Sequence, residues 1–178
     1  MSARLVAIAA IAACLALTAC GGDEGPGTVK LYDRAPVPGV PDRTIAVEPS
    51  ALSSDGAYWA ELLPPGDSSQ PSLTFHITQA FFADACAEEL GSDKCPNGFG
   101  THSEPSLDAN ASLTDLTSIT VVNNARANFA VTADELFSLA SGAAPAAEAP
   151  EGFAYVPFPF LLSVRDGKIV EAHQVWMP

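Results

Sequence analysis

Positive charge is scarce in this chain. Eight lysine and arginine residues stand against 21 aspartate and glutamate, a formal balance of −13 over 178 residues. The basic residues (Lys30, Arg34, Arg43, Lys94, Arg126, Arg165 and Lys168 beyond the N-terminus) are scattered singly. A protein that holds phosphates needs a lysine or arginine stripe, so a nucleic-acid partner is excluded. Histidine is equally sparse: His76, His102 and His173 share no metal-ligand spacing, and no Cys-x-x-Cys occurs, so neither residue type defines a metal motif. The chain also lacks a G-x-S-x-G elbow and a phosphate loop, since Gly98-Phe99-Gly100 is not followed by Gly-Lys-Thr/Ser. His102-Ser103-Glu104 has the H-x-E form of zinc deaminases but no P-C-x-x-C partner. No catalytic residue, metal or cofactor is therefore assigned, and the expected role is non-enzymatic.

What is present begins at the N-terminus. Arg4 precedes an uncharged run, Leu5 to Leu17, which Gly21-Gly22-Asp23-Glu24 closes soon after Cys20. A permanent span wants about 20 apolar residues, so this run has the form of a signal peptide instead. Leu17-Thr18-Ala19-Cys20 resembles the bacterial lipobox, in which small residues precede the modified cysteine. The resemblance implies cleavage after residue 19 and lipidation, with palmitate or a similar acyl chain, of Cys20. Such chains anchor a protein at about 0.8 kcal/mol per buried methylene. The expected location is the extracytoplasmic side of a bacterial cell membrane, with the membrane as a partner through the lipid.

Cysteine is otherwise nearly absent. With Cys14 in the leader and Cys20 lipidated, Cys86 and Cys95 remain, and an oxidising compartment favours a disulfide between them. Three segments follow from this reading: a signal peptide over 1–19, a lipidated cysteine and flexible Gly/Pro tether over 20–42, and one β-rich domain over 43–178. Prolines 26, 36 and 38 exclude helix or central strand from the tether.

Within the domain, Arg43 to Val47, Ala57 to Leu63, Leu73 to Phe82, Leu116 to Val122 and Ala127 to Val131 read as strands. Leu73, Phe75 and Ile77 alternate with Thr74, His76 and Thr78, the period of a sheet with one covered face. After Gln79 the pattern fails, and residues 80–90 fit strand or helix equally. Thr132-Ala133-Asp134-Glu135 has the form of a capping box, opening a helix that Gly142 ends. Phe158 to Arg165 and Lys168 to Trp176 flank Asp166-Gly167, the preferred two-residue turn, and form a C-terminal β-hairpin. The expected fold is mainly β, with α+β as the alternative: an antiparallel sheet or small barrel of about six strands with one short helix.

An uninterrupted hairpin pairs Leu162 with Glu171 and Phe160 with His173, placing a carboxylate and an imidazole among Phe158, Phe160, Leu162 and Val164. Burial beside each other would shift both groups, which makes the pair a candidate ligand face. Tyr58, Trp59 and Trp176 are added as strand aromatics able to line a groove, and His76 as a residue on a neighbouring strand. At Tyr58-Trp59-Ala60, Leu73 to Phe82, the Cys86/Cys95 loop and the closing segment with Gln174-Val175-Trp176, the chain resembles uncharacterised membrane lipoproteins of actinobacterial type, which carry no known activity. The first expectation is a domain that binds an envelope protein, peptide or small ligand. The alternative is a hydrolase or metal-dependent enzyme built on Glu171, His173 and His76.

Overall fold

A computed structural model of the chain describes residues 29–66 and 72–177. The expected signal peptide, Cys20 and the start of the tether lie outside the described residues. The ten strands are β1 (Arg34–Ala35), β2 (Gly56–Leu62), β3 (Ser72–Thr78), β4 (Ala80–Phe82), β5 (Phe99–Thr101), β6 (Leu107–Ser112), β7 (Ser118–Val122), β8 (Asn128–Ala130), β9 (Phe160–Arg165) and β10 (Lys168–Gln174). Two α-helices, α1 (Ala83–Leu90) and α2 (Ala133–Ala140), and a short 3-10 helix at Ser92–Lys94 complete the elements among the described residues, where the sequence leads one to expect one short helix. Eight strands form one sheet in the order β1-β8-β7-β10-β9-β2-β3-β6, and β4 pairs separately with β5. All neighbours are antiparallel except β7 and β10, so the large sheet is mixed. It is not a closed barrel, because β1 and β6 remain as edges.

Alternation sets the inner face. Leu73, Phe75 and Ile77 of β3 are fully buried with Tyr58, Phe160, Leu162, Val164, Ile119 and Val121, and Leu136 and Leu139 of α2 pack against them. The Thr132 hydroxyl accepts from the Glu135 amide and caps α2 as expected. The other half of the box is absent: the Glu135 carboxylate accepts from the Tyr32 hydroxyl and the Ala146 amide instead. It thereby ties the chain's early segment and the 143–152 loop to the start of α2.

The ambiguous run after Gln79 resolves as a switch between sheets. β3 ends at Thr78, β4 leaves to pair with β5, and α1 follows at once. A disulfide between Cys86 of α1 and Cys95 holds this excursion together. Trp59, whose ring points to the outer face, is covered by it, with Phe82 and Phe99 at 5.2 and 5.3 Å.

Two expectations for the early chain are corrected. Residues 43–47 form no strand; Arg43 makes an isolated bridge to Phe81, and the Thr44 and Ile45 amides donate to Ala80 and Ala57. From Val29 onward the expected tether is also part of the folded body. Tyr32 is buried against Phe153 and Phe129, and β1 pairs with β8. Residues 36–41 then cross the outer face of the sheet as a strap. Pro36, Pro38 and Pro41 have no N–H to give a ladder, and among the described residues no backbone hydrogen bond holds the strap. Val40 packs beside the Trp59 and Leu161 cluster.

Candidate functional site

The hairpin turn forms as expected, with Asp166 and Gly167 both at positive φ, 51° and 70°. Arg165 then pairs with Lys168 and Val164 with Ile169, but the register shifts between Ile169 and Glu171. Beyond this bulge Glu171 faces Ser163 and His173 faces Leu161. One extra residue, Val170, thus turns every later side chain over. Glu171 and His173 do not join Phe160 and Leu162 in the core; they stand on the outer face, where a charged or titratable group keeps access to water.

There they enter a polar line. Ser163 donates to Glu171 Oε2 at 2.7 Å, and Arg165 reaches Oε1 at 3.4 Å. His173 Nε2 lies 3.8 Å from Glu171 Oε2, an electrostatic contact too long for a hydrogen bond. Its Nδ1 lies 3.2 Å from the Thr120 hydroxyl. Asn128 donates to Thr120 Oγ1 at 3.5 Å and to the Gln174 carbonyl at 2.9 Å, so the line is anchored in buried structure. Burial pushes the imidazole of His173 below its ordinary value, and the charge of Glu171 opposes that shift without overcoming it. Neutral imidazole is therefore the favoured form near pH 7.

Above this line the strap makes a cleft of about 190 Å³. Ala35, Pro36, Pro38 and Ala130 form apolar walls, and Ser118, Thr120 and His173 supply the polar groups. Two other recesses are somewhat larger. One of about 210 Å³ lies at the start of α2 beside Val29, and an apolar one of about 280 Å³ lies between the ends of β2 and α2. The second is bordered by Tyr155, whose phenol is pushed up to about 12 by burial. The strap cleft differs from both in bringing an imidazole and two hydroxyls to apolar walls, the combination that orients a ligand.

The remaining candidates lie elsewhere. Tyr58 is buried in the inner core, its hydroxyl donating to Ser54 O, and Trp59 is buried on the opposite face. Adjacent strand residues point opposite ways, so they cannot line one groove. His76 is on β3, three strands from β10, about 14 Å at ordinary strand spacing. It pairs with Asp108 at 2.7 Å instead. Trp176 lies past the end of β10, with the Arg126 guanidinium 3.8 Å above its ring. Among the described residues no three His, Cys, Asp or Glu side chains are grouped to hold a metal ion.

Ser118, Thr120, Asn128 and Ser163 were not singled out from sequence. Their signal was a polar residue inside an apolar strand, as with Thr120 between Ile119 and Val121. The fold and site together define a mixed-sheet β domain with a strap-covered polar cleft. The chain matches no known protein family, no curated protein and no solved structure.

Proposed function

We propose that this protein is a lipid-anchored extracytoplasmic binding domain that holds a small, mainly apolar ligand group in the cleft beneath the 36–41 strap. One observation carries the reading: hydroxyls of Ser118 and Thr120 and the imidazole of His173 lie together under proline and alanine walls. At about 190 Å³ the cleft suits one side chain or a short appendage of a ligand more than a whole drug-sized molecule. The anchor rests on the Leu17-Thr18-Ala19-Cys20 sequence. No helix among the described residues is long and apolar enough to cross a membrane. Attachment through lipid would give the acidic domain a fixed place at the envelope, repelled from anionic surfaces.

Small-fragment titration followed by amide and imidazole NMR shifts tests the reading. Fragments with an apolar body and one polar tip should perturb Ser118, Thr120 and His173 together, and Ala130→Leu should abolish the perturbation. Shifts confined to the other two recesses would overturn the cleft assignment. A second reading, catalysis, draws on the line from Thr120 through His173 to Glu171. It requires turnover, so ester hydrolysis lost in both Thr120→Val and His173→Gln would favour it over binding.

A further inference from the structure

The two edges of the large sheet differ. β1 has two residues and runs directly into Pro36, which has no N–H, so that edge cannot extend. β6 has six, paired with β3 from Leu107 to Ser112 without a register shift. It carries no proline, lysine or bulge to blunt it, and Asp108 is its one charged residue. Asp115, just beyond it, is tied to Lys168 at 3.4 Å, which draws the Ser112 end toward the start of β10 and leaves Leu107–Asn110 as the open stretch. Among the described residues, no backbone hydrogen bond satisfies the far side of that stretch.

The side chains along the edge are arranged in rows. Glu61, His76 and Asp108 are cross-strand neighbours on β2, β3 and β6. His76 Nδ1 lies 2.7 Å from Asp108 Oδ1, and the Asp108 side chain is exposed. In the next row Thr74 donates to Asn110 Oδ1 at 2.7 Å, leaving the amide NH₂ as a donor. β2, β3 and β6 hold no lysine or arginine.

We propose that β6 is a strand-addition site for an extended partner segment carrying a basic residue opposite Asp108 and a hydroxyl or amide residue opposite Asn110. Main-chain bonds to the open edge would supply affinity and the two rows would supply register. A second copy of this chain is the poorer occupant, because each chain carries −13 and would set its own acidic edge against another. This surface is separate from the strap cleft, and either assignment stands if the other fails.

A labelled peptide, acetyl-Thr-Val-Thr-Val-Lys-Val-Thr-amide, tests the site by fluorescence anisotropy against the full chain in detergent micelles. The peptide should bind, and N-methylation of alternate residues on one edge should weaken binding by on the order of tenfold or more while methylation of the other edge leaves it nearly unchanged. Asp108→Lys should weaken binding comparably with the thermal midpoint retained, and hydrogen exchange at Leu107–Asn110 should slow when the peptide is present. No binding, equal effects of methylation on both edges, or dimerisation of the free chain that Asp108→Lys abolishes would each overturn the proposal.

Discussion

Gln174 holds three backbone groups at once. Its Oε1 accepts from the Val122 amide, and its Nε2 donates to the carbonyls of Val156 and Phe158. The side chain is fully buried, so Gln174→Leu leaves the buried Val122 amide without a partner and removes both bonds to half-buried Val156 and Phe158. We expect a loss of about 3 kcal/mol, read as a lower denaturation midpoint in urea. His173 acts through protonation. Its folded value lies below the ordinary one, so on acidification through about pH 6.5 the unfolded chain takes up the proton first. Stability present above that pH is therefore lost as pH falls toward the folded value. His173→Gln should flatten this limb of a thermal-midpoint profile between pH 7 and 5; an unchanged slope would count against burial as the cause. Tyr155, pushed up to about 12, gives the opposite sign. The unfolded chain ionises first as pH rises past about 10, so stability falls there. Tyr155→Phe should remove its share of the fall.

At the scale of elements, the bulge at Val170 decides the site. Deleting Val170 removes the bulge and makes the register even, yet leaves Glu171 opposite Ser163 and His173 opposite Leu161 on the outer face, because the pairs on either side of the bulge are then consecutive. The deletion variant should therefore keep a cooperative thermal transition, with a midpoint lowered by loss of the Val170 carbonyl that accepts from the Thr117 amide and hydroxyl, whereas Val170→Ala should leave the midpoint nearly unchanged; loss of cooperativity on deletion would contradict this pairing. The hairpin itself was legible from Asp166-Gly167 and its flanking apolar runs, as were β3 from its alternation and the α2 start from Thr132. The bulge was not legible, because Phe160, Leu161 and Leu162 are all buried and either register covers apolar surface. The strap was missed for a related reason. Prolines 36, 38 and 41 exclude ladder bonds, which reads as a tether, but they do not prevent packing on a sheet face. Thr120 and Asn128, silent as members of apolar strands, became part of the site only once β7, β8 and β10 lay side by side.

For the whole molecule, the proposed anchor at Cys20 is separate from the packing of residues 29–66 and 72–177. Cys20→Ala should move the protein from the membrane fraction to the soluble extracytoplasmic fraction without changing its fold. The Cys86–Cys95 bridge closes a short loop around α1, with a sequence separation of 9. Its removal by a double serine substitution should cost about 2 to 3 kcal/mol, seen as a lower denaturation midpoint, while the eight-stranded sheet persists. The central claim is that the outer face of that sheet, roofed by the strap, holds a ligand. Native mass spectrometry of the protein purified from its own membranes in mild detergent tests it most directly. The expected result is a bound small molecule on the parent chain that is lost from Ala130→Leu at equal recovery and unchanged thermal midpoint. A bound molecule retained by Ala130→Leu, or none on either chain, would contradict the account.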